Sequence, residues 1–183
     1  ILQYFGIEIT KEIGTCILTG IITDTGGFRY QGVTTETFEF VAWLLNKGIN
    51  VSSVYKQVLQ TISKPKFELQ KLAMNRMEFL ENGKITFTYI TLEDEKNVNA
   101  ENGDHDGIVE IGRDIEGVEV SIFVRETERG YRASFRSNDY VNVSDICLTF
   151  GGGGHPRAAA CIIPGSMEQA KEVLIRQTKM YLK

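Results

Sequence analysis

Apolar residues in the first part of the chain recur at the three- and four-residue spacing of an amphipathic helix. The first such segment runs from Thr10 to Thr23. Its apolar face contains Ile13, Cys16, Ile17, Gly20 and Ile21. The sequence that begins at Asp24 and continues with threonine and two glycines then ends the helix, because these residue types favour turns.

The same spacing predicts three further helices before residue 82. The second helix begins at Thr34 or Thr35, either of which can cap it, and it ends at Gly48. Its apolar stripe consists of Phe38, Val41, Ala42, Leu44 and Leu45. Residues 50–62 form the third helix. The fourth, from Pro65 to Glu81, has proline in its first turn and a mixed character that is typical of a linker.

Apolar and polar residues alternate in several segments after Gly83, and this pattern indicates strands. The alternating segments are 84–92, 118–124 and 131–135, and residues 161–163 form a last short strand. The connection over residues 126–130 is short enough for a hairpin between two of these strands. The second half of the chain is therefore predicted to contain a sheet.

Helices are predicted between and after these strands. One spans Gly103 to Ile115 and begins at Asp104 or Asp106, since aspartate is a favoured cap. Another runs from Ser144 to Phe150, and a closing helix runs from its cap at Ser166 to Leu182. The sheet is thus expected to carry helices packed against it.

These patterns predict an α/β (α+β) fold with two domains. Residues 1–62 form a mainly helical part, residues 63–83 a helical linker, and residues 84–183 a small mixed β-sheet domain with helices. The length of 183 residues is sufficient for one large domain or two small ones.

Composition limits the classes of function. The chain has 42% hydrophobic and 24% charged residues, which is typical of a soluble globular protein, and it has no apolar run long enough to cross a membrane. The formal net charge of −4 argues against a general binding surface for long nucleic acids, which favour a basic face. A small phosphorylated ligand needs only a local positive pocket and stays compatible with this charge.

The cysteines and the first residues bear on the cellular location. Cys16, Cys147 and Cys161 are odd in number and widely spaced, so we expect reduced thiols in a cytoplasmic protein and no metal-ligand pair. The chain begins at Ile1, and its first residues lack the basic leader and long apolar core of a signal peptide. We therefore expect a piece of a longer protein.

The glycine run 151–154, followed by His155, predicts an anion-binding loop. Glycine has no Cβ, so consecutive glycines can turn their N–H groups onto an anion. The small residues 158–160 that follow can begin a helix, whose N-terminus also favours negative charge. The alternative is a glycine-rich turn that joins two elements and binds nothing.

Two segments together resemble one family. Thr23–Tyr30 is similar to the fourth motif of the DHH phosphoesterases, and Gly151–Ala159 is similar to the signature of their associated C-terminal domain. Ala133–Ser137 and Val141–Cys147 also resemble that domain. The resemblance covers nearly the whole chain in the order of the family, and its closest form is the bacterial oligoribonuclease and pAp phosphatase type, the nano-RNases.

The resemblance implies a cleft between two domains, with residues 1–62 as the C-terminal part of the catalytic domain and residues 84–183 as the associated substrate-binding domain. In this family the catalytic domain holds two divalent metals, usually manganese, on aspartates and histidines, and a metal-bound water attacks phosphorus. The associated domain binds the phosphates and the terminal nucleotide of the substrate. The implied substrates are short oligoribonucleotides, pAp or both.

The chain departs from the family pattern in two respects. The Asp-His-His motif and the other N-terminal metal ligands are missing from the sequence, which leaves Asp24 from that set. The run from Asp104 to Asp106, with His105 between them, does not replace the motif, because we expect it to cap a helix in the second domain. Ala160 stands where the family commonly has glycine, which tightens the turn into the last strand.

Asp24 and His155 are the candidate catalytic residues, and the resemblance implies a role for each. Asp24 matches a metal-ligand position, and His155 is expected to donate to a phosphate or to a bridging oxygen, with a general-acid role left open. From residue type alone, Asp24 would be a turn residue and His155 a surface or core histidine.

Further candidates for substrate binding are Arg136, Ser137, Gly152, Gly153 and Gly154. The glycines either offer N–H groups to the ligand or relieve crowding at a domain interface. Arg136 and Ser137 end a strand that we expect to face the same cleft, and a planar guanidinium suits a phosphate. The alternative for Arg136 is a solvated residue at the end of a strand. Weaker candidates are Arg125, Arg132 and Arg157.

Four functions are compatible with these features. The first is the substrate-binding part of a metal-dependent phosphoesterase, whose isolated activity is expected to be feeble because most metal ligands are missing. The second is a cyclic dinucleotide phosphodiesterase of the same family, and the third is a nucleic-acid-binding module without chemistry. The fourth is a scaffold or dimerisation domain, and a homodimer stays open in every case.

Overall fold

The computed structural model describes residues 5–30 and 32–183. The chain divides into two compact units, Ile1–Ile62 and Ser63–Lys183. No helix in the described residues is both long and apolar enough to span a bilayer. The fold is mixed α/β, as predicted, with helices in both units and one six-stranded sheet in the second.

The first unit is helical. Its helices are α1 (Lys11–Asp24), α2 (Thr35–Asn46) and α3 (Val51–Tyr55), and a π-helical turn, Lys56–Gln60, extends α3. Thr10 caps α1 by accepting a hydrogen bond from the Ile13 N–H at 3.4 Å, and Asn50 caps α3 by accepting one from the Ser53 N–H at 2.9 Å. Thr34 is the cap of α2. The predicted helix starts are confirmed.

The buried face of α1 differs from the predicted one. Gly14, Leu18 and Ile22 are buried, whereas Cys16 and Gly20 are exposed. The reason is a close approach that periodicity cannot show: a Cβ at Gly14 would lie 2.6 Å from the Cδ1 atom of Ile49. The predicted stripe of α2 is also too wide, because its buried residues are Val41 and Leu44 while Phe38, Ala42 and Leu45 are exposed.

The predicted fourth helix is wrong beyond Asn75. Helix α4 spans Lys64–Asn75, and the next residues form an edge strand, β1 (Glu78–Leu80), that pairs with β2 (Ile85–Ile90). The chain reverses between these strands because residues 81–83 all have left-handed backbone angles, with φ values of 51°, 54° and 84°. A helix cannot continue through such residues.

The sheet of the second unit has the strand order β1-β2-β3-β4-β6-β5. The remaining strands are β3 (Val120–Thr127), β4 (Gly130–Ser137), β5 (Gly153–His155) and β6 (Ala158–Ile163). Strands β2 and β3 are parallel, and all other neighbours are antiparallel. The predicted hairpin is confirmed, since Thr127 pairs with Gly130 across a two-residue turn.

Three helices of the second unit differ from the prediction, and the last helix agrees with it. Helix α5 (Leu92–Asn97) was missed, and α6 (Ile108–Arg113) begins at Gly107, which has a φ of 91°, instead of at Asp104 or Asp106. Asp104 instead accepts hydrogen bonds from the Ser63 hydroxyl and the Glu101 N–H. Helix α7 (Val143–Leu148) is capped by Asn142 instead of Ser144, and α8 (Met167–Lys179) is capped by Ser166 as predicted.

The two faces of the sheet have different surroundings. One face packs on α7 and α8 around Phe87, Ile122 and Phe135. On the other face, α4 and α6 bury Ile90 and Phe123 of β2 and β3. Helix α6 lies very close to this face, because a Cβ at its Gly112 would be 2.4 Å from Thr86 Oγ1 and 2.5 Å from Ser121 Oγ. The side chains of α6 are thereby held next to β4.

A paired carboxylate fixes the start of α5. Asp94 accepts hydrogen bonds from the Arg76 guanidinium at 2.5 and 3.0 Å and from the Thr91 N–H and hydroxyl at 2.8 and 2.7 Å. The hydrogen bonds from Arg76 lower the pKa of Asp94 from 3.8 to about 2, against the opposing effect of burial. The next residue of α5, Glu95, holds an arginine of β3.

We predict that Asp94 makes stability depend on acid pH. Because its pKa is lowered in the folded state, its contribution is present above about pH 4 and is lost as the pH falls from 4 towards 2. Denaturant midpoints measured between pH 2 and 7 should therefore fall more steeply for the parent protein than for Asp94→Asn. Parallel curves for the two proteins would contradict this assignment.

Candidate functional site

A cavity of about 490 Å³ lies on the second face of the sheet, where β4, β6 and β5 extend beyond α6. Its floor consists of small and polar residues of the three strands: Ser134, Arg136, Gly153, Ala158 and Ala160. The segment 105–110, which leads into α6, forms one wall. We call this cavity the sheet cleft.

The strand register brings three predicted site residues, Arg136, Gly153 and His155, to this face. Arg136 of β4 pairs with Ala158 of β6, which pairs with His155 of β5. Directly paired residues of antiparallel strands project from the same face, so Arg136, Ala158 and His155 form one cross-strand row. The adjacent row contains Ser134, Ala160 and Gly153 in the same way. We call the first of these the Arg136–His155 row.

Arg136 is held in place by two hydrogen bonds. Its Nε donates to Glu110 Oε1 of α6 at 2.9 Å, and its Nη1 donates to the Phe135 carbonyl at 3.0 Å. Its Nη2 makes no hydrogen bond with any residue that the structure describes. The guanidinium is therefore oriented by the protein and retains donors for an anion. His155, at the other end of the row, is exposed.

The glycines of the loop have different reasons to be glycine. A Cβ at Gly152 would lie 2.3 Å from the Ala160 carbonyl oxygen, and one at Gly154 would lie 2.5 Å from that of Ala158. A Cβ at Gly153 would meet no described atom within 4 Å. Packing on β6 therefore requires Gly152 and Gly154, whereas at Gly153 the missing side chain leaves open space in the sheet cleft.

The glycine run does not form the predicted anion-binding loop with a helix behind it. Residues 158–160 belong to strand β6, so no helix begins behind the glycines and the predicted helix N-terminus is wrong. The N–H of Gly152 donates to the Cys147 carbonyl at 2.9 Å and is not free for a ligand. Glycines 153 and 154 instead form an edge strand with His155. Positive charge in the sheet cleft comes from arginine side chains.

Ser137 lies on the opposite face of β4 from Arg136. It is 4% exposed, and its hydroxyl donates to the Val141 carbonyl at 2.6 Å. Arg157 donates to the same carbonyl at 2.8 Å and also to the Asp139 carbonyl. The structure therefore does not bring Ser137 into the sheet cleft; together with Arg157 it ties the loop 139–141 to the turn that follows His155.

The other end of the sheet cleft contains Arg125 and Arg132, which the sequence indicates only as weaker candidates. Arg125 donates to both carboxylate oxygens of Glu95, at 2.5 and 3.0 Å. Arg132 lies directly opposite Arg125 across β3 and β4 and makes no hydrogen bond or ion pair with a described residue. The signal was the period-two recurrence of polar residues at positions 132, 134 and 136, which places them on one face of a strand.

His105 and Asp106 also line this end, although we expected them to cap a helix. His105 Nε2 is 3.6 Å from Asp106 Oδ1, and His105 Nδ1 is 4.0 Å from Glu95 Oε1. Burial, followed by the charge of Arg125, lowers the pKa of His105, which favours the neutral imidazole.

Asp24 is the exposed last residue of α1. The turn after it contains Gly26, Gly27 and Phe28 with φ values of 57°, 71° and 69°. No group of three or more His, Cys, Asp or Glu side chains within residues 5–30 and 32–183 could hold a metal ion. A lone carboxylate does not make a metal site, so the residues present do not fit the metal that the family implies.

Two neighbouring glycines provide a matched test of this geometry. Gly152→Ala should lower the free energy of unfolding by about 1–3 kcal/mol, because the new methyl group overlaps the Ala160 backbone. Gly153→Ala should change it by less than about 0.5 kcal/mol, because the position is open. Denaturant unfolding measures both, and equal losses of stability would contradict the assignment.

Comparison with known proteins places this geometry in a family. The DHHA1 domain matches residues 82–183. The bifunctional oligoribonuclease and PAP phosphatase NrnA of Thermus thermophilus is 33% identical over 180 residues, which cover 98% of this chain and 54% of that protein. An A-adding tRNA nucleotidyltransferase of Aquifex aeolicus is 29% identical over 174 residues, which cover 92% of this chain and 20% of that protein.

A solved structure agrees with these matches. An exopolyphosphatase-related protein from Bacteroides fragilis has a TM-score of 0.88 and 31% sequence identity, over 94% of this chain and 51% of that protein. The chain thus spans about half the length of the Thermus and Bacteroides proteins. Since the DHHA1 match alone covers more than half of the chain, the protein belongs to the DHHA1 domain family of the DHH phosphoesterases.

Proposed function

We propose that this chain binds the substrate for a metal-dependent phosphoesterase that hydrolyses short oligoribonucleotides, pAp or both. The observation that carries the proposal is the Arg136–His155 row, which places an oriented guanidinium and an exposed imidazole on one open face of the sheet. The similarity to an oligoribonuclease and PAP phosphatase supports the class of substrate.

The chemistry of the row suits a phosphate. The planar guanidinium of Arg136 can give parallel hydrogen bonds to two phosphate oxygens, and its tie to Glu110 reduces the entropy lost on binding. His155 adds an N–H donor at the other end of the row. The methyl group of Ala158 between them, and the open space at Gly153 in the adjacent row, let the sugar–phosphate backbone of a ligand approach the sheet.

A divalent metal is part of the proposed function, although the described residues do not form a metal site. Family membership implies a divalent metal, and manganese is the ion we expect. Asp24 is our candidate for one ligand, and the described residues contain no group of His, Cys, Asp or Glu that could complete a metal site. We therefore assign phosphate binding to this chain and derive no hydrolytic step from it.

A second candidate function is RNA binding without hydrolysis. It is favoured by the similarity to a tRNA nucleotidyltransferase, in which the matching region is only 20% of the protein. If the chain is an RNA-binding module, longer RNA should bind more tightly than a single nucleotide, because affinity grows with the number of phosphate contacts. The two candidates are thus separable by the length dependence of binding.

The direct test is calorimetric titration of the 183-residue chain with pAp, with a 20-nucleotide RNA and with adenosine, with and without manganese. We expect metal-independent binding of pAp, no binding of adenosine, and no large gain for the longer RNA. Arg136→Gln should weaken pAp binding about tenfold or more, because a charge-assisted bidentate contact contributes about 1.5–3 kcal/mol.

Two variants sharpen this titration. Arg136→Lys keeps the charge but loses the planar fork, so it should fall between the parent and Arg136→Gln. Arg129→Gln, in the exposed turn between β3 and β4, is the matched control and should bind as the parent does. Equal affinity for adenosine and pAp, or an Arg136→Gln variant that binds normally, would overturn the proposal.

A further inference from the structure

We infer that Glu119 is a positioning residue for His155, because it fixes a loop that in turn holds the backbone on both sides of the histidine. Glu119 directly precedes β3, is 5% exposed, and is not among the residues that line the sheet cleft. The inference rests on the proposed function in one respect, since binding of pAp is one of its two readouts.

The carboxylate of Glu119 binds one loop, residues 139–141. Oε1 accepts hydrogen bonds from the N–H groups of Tyr140 and Val141 at 2.9 and 2.7 Å, and Oε2 accepts one from the N–H of Asp139 at 3.1 Å. A buried N–H that loses its acceptor is costly, so three consecutive donors on one carboxylate fix the path of the loop.

Arg157 joins this loop to the turn that follows His155. Its guanidinium donates to the Val141 carbonyl at 2.8 Å and also to the Asp139 carbonyl, which are the two ends of the loop. Its own backbone carbonyl accepts a hydrogen bond from the Ser137 N–H at 3.2 Å. The loop and the turn are therefore held together through both the side chain and the backbone of one arginine.

The backbone on both sides of His155 is held by the segment 137–144. The carbonyl of the residue before it accepts a hydrogen bond from the Ser144 hydroxyl at 3.1 Å, and the carbonyl of the residue after it accepts one from the Val143 N–H at 3.0 Å. The exposed imidazole makes no hydrogen bond or ion pair with a residue that the structure describes. Its place in the Arg136–His155 row is therefore set by its backbone, and so by this segment.

A purely structural role for Glu119 would have different consequences. Loss of its hydrogen bonds would then lower stability, as the loss of a methyl group from the core does, and would leave the imidazole of His155 in place. The two roles thus differ in whether His155 responds when Glu119 is changed in a protein that is still folded.

The first readout is the imidazole NMR signal of His155 in the ligand-free chain. The chain has two histidines, so comparison with His155→Ala assigns the signals. Glu119→Gln keeps the shape of the side chain but replaces one acceptor oxygen by a donor, so at least one loop N–H loses its acceptor. We expect the signals of His155 to move or broaden, while those of His105 stay in place.

A second variant and two controls accompany this measurement. Arg157→Lys, at an exposed position, keeps the charge but loses the planar fork that bridges two carbonyls, so it should move the same signals. Glu116→Gln removes an exposed charge from the turn before β3, and Ile122→Val lowers stability from within the core. Neither control should move them.

The second readout is calorimetric titration with pAp. Glu119→Gln should bind pAp about five- to tenfold more weakly than the parent, which corresponds to the loss of about one hydrogen bond. In the His155→Ala background, the same substitution should weaken binding by less than about twofold, because the residue that it positions is already gone.

Thermal unfolding identifies the variants that are folded, and the outcomes are then distinct. The inference is overturned if the His155 signals of Glu119→Gln and Arg157→Lys match those of the parent, or if Ile122→Val moves them equally. Equal losses of pAp affinity with and without His155 also overturn it. If Glu119→Gln does not fold, Arg157→Lys decides. If the parent does not bind pAp, the proposed function fails, and the imidazole signals still decide the inference.

Discussion

The antiparallel register of β4, β6 and β5 is the constraint on which the candidate site depends. Arg136 and His155 are 19 positions apart in the chain and lie on strands that are not neighbours. Only the pairing of each with Ala158 puts them on one face and in one row. A shift of one residue in either ladder would turn one of them into the core, because strand side chains alternate between faces. The tight packing of the glycine loop on β6 fixes this register.

The wall of the sheet cleft is fixed by a second close approach. Gly112 brings α6 against Thr86 and Ser121, and this contact positions Glu110 beside Arg136. The cleft therefore combines a floor of small side chains, a wall set by α6, and three arginines: Arg136 is paired with Glu110, Arg125 is paired with Glu95, and Arg132 has no ion pair with a described residue.

Periodicity and caps predicted most elements, since they report local geometry. The starts at Thr10 and Ser166 followed from capping chemistry, and the hairpin after β3 followed from its short connection. Helix α5 was missed although Thr91 and Asp94 form a capping box, because the preceding strand pattern ran on to residue 92. The edge strand after α4 was hidden because a reversal through left-handed residues depends on tertiary pairing.

The site residues also divide into those that the sequence predicts and those that depend on tertiary structure. Arg136, Gly153 and His155 were predicted from residue types and from the resemblance to a family, and the structure places them on one face of the sheet, but the resemblance could not separate them from Ser137. Alternation along β4 places Ser137 on the buried face, where its hydroxyl holds a loop. The approach of residues 105–106 to the sheet cleft could not be predicted, because it arises from how the loop before α6 returns to the sheet.

Backbone amide NMR of the isotope-labelled chain tests the central claim most directly, since it reports where a phosphorylated ligand binds. On addition of pAp, the account predicts the largest shifts at Gly153, His155 and Ala158, with little change on the core face or in residues 5–62. Adenosine should leave these signals in place. Shifts centred elsewhere, or equal shifts with adenosine, would contradict the claim that the open face of β4, β6 and β5 binds phosphate.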